Sequence, residues 1–252
     1  MSFDVAADAY DRYMGRYSRL LSPQLADLAG VRSGQRVLDV GCGPGALTAE
    51  LVVRVGAPAV AAVDPSASFV AATRERYPGV EVHQASADQL PFPARTFDAS
   101  LAQLVVHFMP DPIQGLTEMA RVTRTDGVMA ACVWDHAGDQ GPLSLFWREA
   151  RRLDPDVDDE SRLPGVREGH LAELFEDSGL RDVEASVLWV SLEHLTFDAW
   201  WEPFTKGVGP AGSYLAGLSA DRQIELREAC RAAIPTTPFV VTARAWAARG
   251  VV

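Results

Sequence analysis

Cysteine is scarce in this chain of 252 residues. Its cysteines, Cys42, Cys132 and Cys230, are odd in number and widely spaced, which fits neither a disulfide framework nor a CxxC metal or redox site. We therefore expect reduced thiols, and with them a cytoplasmic protein.

Long apolar runs and an N-terminal targeting pattern are absent as well. No apolar stretch approaches the roughly 20 residues that a transmembrane helix needs. Met1 to Asp4 lead into acidic and small residues rather than into a basic segment followed by an apolar one, so no signal peptide is predicted. The sequence predicts no membrane partner.

Positive charge is in deficit. The chain has 23 Lys and Arg residues against 34 Asp and Glu residues, which gives a formal net charge of −11. It therefore lacks the basic field that attracts nucleic-acid phosphates or anionic lipid. We expect a small-molecule partner and no nucleic acid.

Helix and strand patterns alternate along the chain. Residues 5–30 favour helix, with Pro23 predicted to open a second helix. Apolar segments at 36–40 and 59–63 each run into a loop and then a helical segment, and this rhythm continues to Trp134. Strands that alternate with helices indicate βαβ units and a parallel sheet. Residues 196–234, rich in aromatic side chains, are predicted to form an inserted lid.

The first apolar segment ends in a glycine-rich loop, Gly41-Cys42-Gly43-Pro44-Gly45. Such a loop lets a ligand approach the backbone closely and presents the next helix N-terminus to it. The loop matches the dinucleotide pattern GxGxxG poorly, because Ala46 stands at its sixth position. Asp39, just before the glycines, would repel a pyrophosphate but can pair with an ammonium group.

The segment Val37 to Gly45 resembles the first motif of class I S-adenosylmethionine (SAM)-dependent methyltransferases. Three further matches follow in the family's order: Asp64, 21 residues after Gly43; Ala87-Asp88, within Ser86 to Phe92; and Phe97-Asp98-Ala99, followed by Gln103 and by His107 to Asp111. Together they cover about residues 36–134. The chain resembles the small-molecule type, in particular the ubiquinone/menaquinone-biosynthesis-like group.

The resemblance implies an α/β fold with a Rossmann-like doubly wound sheet, mostly parallel with an antiparallel last strand, plus the helical lid insertion. Together with the pattern along the chain, it predicts three parts: an N-terminal helical cap (1–35), a SAM-binding domain (36–195 and 235–252) and the lid (196–234).

The resemblance also implies which residues bind SAM. The methionine part would lie against Asp39, Gly41 and Gly43, with Cys42 in the same loop; the ribose against Asp64 and Pro65; the adenine against Ala87 and Asp88; and the sulfonium near Gln103. Asp64 and Asp88 also fit simpler roles, as a capping acid and as a turn residue.

An N-terminal helix supplies a partner for the SAM carboxylate in some enzymes of this class. Tyr13 and Arg16, at i and i+3, can reach such a group together. The alternative is a surface arginine beside a tyrosine stripe that packs on the sheet.

Two histidines are candidates for accepting a proton from the acceptor. His107 follows the fourth strand and His136 the fifth, at the carboxyl edge where open α/β sheets bind ligands. The alternatives are a residue that shapes the pocket and a solvated loop histidine. The remaining histidines show no ligand spacing, so no metal site is predicted.

The leading hypothesis is a SAM-dependent methyltransferase that moves the methyl group to an O, N or C atom of a small molecule, mainly by positioning and desolvation. The alternatives are a SAM-binding regulatory module without turnover and an NAD-dependent oxidoreductase. Trp134, Trp200, Trp201 and Phe204 can line an acceptor cavity or pack in the core.

Overall fold

The computed structural model describes residues 7–234 and 236–252. Residues 1–6 of the predicted N-terminal cap and Pro235, where the predicted main domain resumes, lie outside the described residues. The chain begins with helix α1 (Ala7–Tyr10), a π-helical turn (Asp11–Gly15) and helix α2 (Arg16–Leu28).

The prediction that Pro23 opens a second helix is wrong, because Pro23 lies inside α2. A proline there removes the amide that would bond to the carbonyl four residues earlier. Tyr17, Leu21 and Leu25 are buried along one face of this helix. Their packing outweighs the local preference, as tertiary contacts commonly do for helices.

One sheet is the centre of the fold. Its strands in chain order are β1 (Val37–Val40), β2 (Val60–Asp64), β3 (Glu81–Gln84), β4 (Phe97–Gln103), β5 (Thr123–Trp134), β6 (Arg181–His194) and β7 (Phe239–Val251). Their spatial order is β3-β2-β1-β4-β5-β7-β6. β1 to β5 pair in parallel, and β7 runs antiparallel to both β5 and β6. The predicted doubly wound sheet with an antiparallel last strand is confirmed.

Helices cover both faces of the sheet. The remaining α-helices are α3 (Ala46–Val55), α4 (Ala67–Arg76), α5 (Pro112–Val122), α6 (Ser144–Leu153), α7 (His170–Asp177), α8 (Phe197–Trp201), α9 (Gly209–Gly217) and α10 (Ala220–Ala232). Short 3-10 turns occupy Ala57–Ala59, Val106–Phe108, Glu160–Arg162 and Glu202–Lys206. No helix in the described ranges has both the length and the apolar character that crossing a membrane requires.

Side chains along β1 alternate between the two faces of the sheet, and each face is covered by its own hydrophobic core. Val37 packs with Leu21 of α2 and Leu47 of α3 on one face, whereas Leu38 packs with Leu116 of α5 on the other. Successive residues of a strand point to opposite faces, and a parallel sheet with two covered faces buries both. The short strand is therefore apolar on both sides, except at Asp39.

The segment between β6 and β7 is helical, comprising α8, the Glu202–Lys206 turn, α9 and α10. Its aromatic residues are buried: Phe204 stacks on Phe146 of α6 with ring centroids 4.7 Å apart, and Trp200 packs edge-on against Phe204. Trp200 and Phe204 thus join the core. The division into cap, main domain and lid stays a prediction.

A buried hydrogen bond ties α2 to the far edge of the sheet. The Tyr17 hydroxyl lies 2.8 Å from Nε2 of His194 at the end of β6, and both side chains are buried. Burial lowers the pKa of His194 to about 4, so the ring is neutral at neutral pH.

Replacing Tyr17 with Phe is expected to lower the free energy of unfolding by about 1–3 kcal/mol, because a buried ring nitrogen loses its partner. Chemical denaturation of the wild type, of Tyr17→Phe, of His194→Gln and of the double variant measures the coupling. The double variant should lose less than the sum of the two single losses. Additive losses would show that the bond contributes nothing.

Candidate functional site

The loop after β1 places its backbone against the loop after β4. Gly41 has a φ of 70°, in the left-handed region, and a Cβ at this position would stand 2.3 Å from Cγ2 of Val105. Only glycine adopts this conformation and permits this approach without strain. The residue type at Gly41 therefore sets how closely these two loops pack.

Asp64, the last residue of β2, joins two loops. Its Oδ2 accepts a hydrogen bond from the Gly43 amide at 2.8 Å, and its Oδ1 accepts one from the Ser66 amide at 2.9 Å. Burial raises its pKa, although both hydrogen bonds oppose the shift. The carboxylate thereby holds the glycine-rich loop against the start of α4.

Asp39 lies inside β1 and is 1% exposed. Its Oδ2 accepts a hydrogen bond of 2.6 Å from the Thr48 hydroxyl, while its Oδ1 is buried without a hydrogen-bond partner among the described residues. Burial raises the pKa of Asp39 to about 7. This unmatched carboxylate oxygen needs a donor or a cation.

A cavity of about 770 Å³ opens at the carboxyl ends of β1, β2 and β4. Its volume is within the range of small-molecule sites. Seven of the residues predicted from the sequence line it: Gly41, Gly43, Asp64, Pro65, Ala87, Asp88 and His107. The structure thus brings the predicted ribose and adenine residues together on one cavity wall.

Other predicted residues are not among those that line this cavity in the described part of the chain. Cys42 is buried, and burial raises the pKa of its thiol well above the usual value. Gln103 is buried and donates from Nε2 to the Ser18 carbonyl at 3.1 Å, which links β4 to α2. Arg16 borders neither this cavity nor the chamber described next, as far as the described residues define them.

A second, small chamber of about 20 Å³ adjoins the cavity. The two share Tyr10, Leu104, His107 and Phe108 as lining residues. Tyr13, predicted to bind the SAM carboxylate, lines this chamber, and its hydroxyl is buried without a hydrogen-bond partner in the described part of the chain.

Both predicted catalytic histidines reach the chamber. His107 lies in the turn after β4 and His136 in the turn after β5, with ring centroids 6.0 Å apart. Burial, with the adjacent His136, lowers the pKa of His107 well below its usual value. His107 therefore presents a neutral imidazole at the boundary between the two spaces.

Sequence reasoning missed Glu160 as a site residue. It is 4% exposed, and its Oε1 lies 3.8 Å from Nε2 of His136. The Trp147 indole donates to its Oε2 at 2.8 Å. In the sequence, Glu160 is only the end of an acidic run, so nothing distinguishes it from solvated neighbours.

An ion pair positions the turn that carries His136. Asp135 accepts a hydrogen bond of 2.9 Å from Nε of Arg244 on β7 and one of 2.8 Å from the Gly138 amide. Asp135 is buried. The antiparallel last strand thus supplies the cation that fixes the loop after β5.

Comparisons with known proteins point to methyltransferases. Residues 38–131 match a family model described as a methyltransferase domain. Over 152 residues, the chain is 35% identical to the phosphatidylethanolamine N-methyltransferase of Cereibacter sphaeroides, covering 58% of this chain and 72% of that protein.

One further relative matches only part of its length, and a solved structure shares only the fold. The chain is 32% identical to the rice protein 2-methyl-6-phytyl-1,4-hydroquinone methyltransferase 2 over 59% of its own length, and it spans only 40% of that relative. The solved structure of the YcgJ protein from Bacillus subtilis superposes with a TM-score of 0.58 at 19% identity, covering 94% of this chain and 98% of that one. At this identity the likeness shows the fold alone.

The close approach at Gly41 can be tested with a matched glycine. Gly41→Ala and Gly34→Ala both place a side chain at positive φ, but a Cβ at Gly34 meets no atom within 4 Å. Both should lose about 1 kcal/mol of unfolding free energy to backbone strain, and Gly41→Ala about 1–3 kcal/mol more to overlap with Val105. Equal losses in urea denaturation would contradict the packing argument.

Proposed function

The chain belongs to the class I SAM-dependent methyltransferases, and from that premise we propose that it transfers the methyl group of SAM to an O, N or C atom of a small-molecule acceptor. The observation that carries this proposal is that His107 lines both a cavity of about 770 Å³ and the small chamber that adjoins it. The larger space fits a nucleoside cofactor, and the chamber receives the reacting end of an acceptor.

The charges around the cavity fit SAM better than a dinucleotide. Asp64 lines the cavity, and Asp39 stands two residues before Gly41, which also lines it; both acids are buried, and neither has a Lys or Arg partner among the described residues. The ammonium and sulfonium of SAM would compensate them, whereas the pyrophosphate of NAD would be repelled. When bound, SAM supplies an electrophilic methyl group on a sulfonium.

We assign the cofactor contacts as the sequence motifs suggest. Asp39 and the Gly41–Gly43 loop would border the amino-acid part, Asp64 and Pro65 the ribose, and Ala87 and Asp88 the adenine; Gln103 lies behind them. The assignment of the SAM carboxylate to Tyr13 and Arg16 stays a prediction, because the two side chains do not line one common cavity.

The chain's own contribution is positioning and exclusion of water. Phe108, Trp134 and Leu143 line the chamber, so a group that enters it leaves bulk solvent. His107 and His136 would face the acceptor as the catalytic residues. Two imidazoles can activate an acceptor in either of two ways. They can accept a proton from the acceptor, or they can bind a metal ion that lowers the pKa of the acceptor's reacting group.

We also propose that the inserted helices between β6 and β7 act as a lid. Gly209 and Pro210, at the start of α9, line the chamber. Movement of this segment would therefore change the chamber's size.

Cofactor binding is the first test. Isothermal titration of S-adenosylhomocysteine into the wild-type protein should give one site, and Asp64→Asn should weaken binding at least tenfold, because a charged acceptor of hydrogen bonds is lost. Asp177→Asn, an exposed change at the end of α7, is the control and should bind like the wild type. If neither SAM nor its product binds, the proposed function is wrong.

Turnover requires a separate measurement. Labelled SAM incubated with the protein and extract of the native cell should yield a labelled small molecule that is absent without the protein. Binding without any labelled product would favour the regulatory module over the enzyme.

Binding should also depend on pH through Asp39. Its pKa of about 7 means that the carboxyl is largely protonated below pH 7, and it must ionise before it can pair with the ligand's ammonium. Affinity for S-adenosylhomocysteine should therefore rise with pH by up to about tenfold per unit below pH 7 and then level off. Asp39→Asn should flatten this profile between pH 5.5 and 7.5. An identical slope in the variant would contradict the assignment.

A further inference from the structure

We propose that His107, His136 and Glu160 form a binding site for a divalent transition-metal ion at the junction of the cavity and the chamber. The three side chains each offer one ligand atom, and these atoms lie within 4.8 Å of one another. They come from three separate parts of the chain: the turn after β4, the turn after β5, and the 3-10 turn Glu160–Arg162.

The donor set defines the class of ion. Two imidazole nitrogens and one carboxylate, with remaining positions open, suit Zn²⁺, Fe²⁺, Co²⁺ or Mn²⁺. Mg²⁺ and Ca²⁺ prefer a shell of oxygen atoms. Ligands at about 2.1 Å from a tetrahedral ion stand roughly 3.4 Å apart. The 3.8 Å between Nε2 of His136 and Oε1 of Glu160 is close to that spacing, so small side-chain rotations suffice.

The charge of Glu160 supports a bound cation. Glu160 is buried, and among the described residues its ion-pair partner is His136 rather than any Lys or Arg. Glu149, buried to the same degree on α6, pairs with both Arg148 and Arg152. A buried carboxylate without a permanent cation is costly unless an ion or a proton compensates it.

Two residues that line the chamber have polar atoms without hydrogen-bond partners. Nδ1 of His107 and the Tyr13 hydroxyl are buried, and neither has a hydrogen-bond partner within the described ranges. Both residues line the chamber of about 20 Å³, which has room for an ion or about one water molecule. Buried polar atoms need partners, and an ion or a water molecule in this chamber would supply them.

Neighbouring groups position Glu160 and the turn that carries His136. The Trp147 indole occupies Oε2 of Glu160 and leaves Oε1 to face His136. The backbone amide of His136 donates to the Trp134 carbonyl at 2.9 Å, and Asp135 is fixed by Arg244. Such outer contacts orient ligands and raise metal affinity.

The role of the ion rests on the proposed methyl transfer, although ion binding itself does not. An acceptor hydroxyl that binds an open position would lose its proton to solvent at neutral pH, and the electron pair of the broken O–H bond would stay on oxygen. The acceptor class is thus a small molecule with a hydroxyl at its reacting end, such as a phenol or an enol.

Metal titration of the untagged full-length protein tests the site directly. After treatment with a chelator, Zn²⁺ should bind with a stoichiometry of one ion per chain by calorimetry, Co²⁺ should produce visible absorption bands, and Mg²⁺ should do neither. Glu160→Gln, which keeps an acceptor for Trp147, and His136→Asn should each weaken Zn²⁺ binding at least tenfold.

Two controls separate this site from general loss of structure and from surface binding. Glu149→Gln removes a buried carboxylate and His194→Gln a buried imidazole outside the cluster, and both should bind Zn²⁺ like the wild type. Circular dichroism checks that each variant is folded. Absence of stoichiometric binding, or unchanged binding in Glu160→Gln and His136→Asn, would overturn the proposal. S-adenosylhomocysteine titrated into the same samples tests the proposed function separately, because either ligand can bind while the other fails.

Discussion

The need to compensate buried carboxylates organises this protein. Two groups of buried acids differ in how that need is met. Away from the cavity the partners are arginines: Arg244 for Asp135, and Arg148 and Arg152 for Glu149. The acids of the candidate site have neutral donors instead: Asp64 in the cavity wall, Glu160 in the chamber and Asp39 in β1 accept hydrogen bonds from amides, an indole or a hydroxyl, and Glu160 also has the His136 imidazole 3.8 Å away. Incompletely compensated charge is therefore concentrated where ligands would bind.

The topology explains why that charge is concentrated there. Parallel strands end at one edge, so the loops after β1, β2, β4 and β5 meet, and side chains distant in sequence become neighbours. The antiparallel β7 adds something different, because it brings Arg244 to Asp135 and so fixes the turn that carries His136. The fold thus keeps the carboxylates that form structural ion pairs with arginine apart from the site carboxylates, which have no Lys or Arg partner among the described residues.

Local patterns predicted the sheet and the cavity wall because both depend on short stretches of sequence. The strand, glycine loop and Asp64 lie within one crossover, and their spacing alone places them together. Pro23 was predicted wrongly because burial of the α2 face outweighs the local preference of proline. Glu160 was missed because its position depends on the irregular segment between α6 and α7, where no periodicity relates sequence to space.

The size of the chamber restricts how an acceptor can bind. About 20 Å³ holds an ion or a single water molecule but no organic ring, so the body of an acceptor does not fit beside His136 and Glu160 in this conformation. The body of the acceptor must then occupy the larger cavity, past His107, or displace Gly209 and Pro210 at the start of α9. Either way, His107 is the residue that both ligands must approach, since it lines both spaces. Acceptor size therefore depends on the inserted helices, while the chemistry at the reacting atom depends on three side chains that the sheet and its loops hold in place.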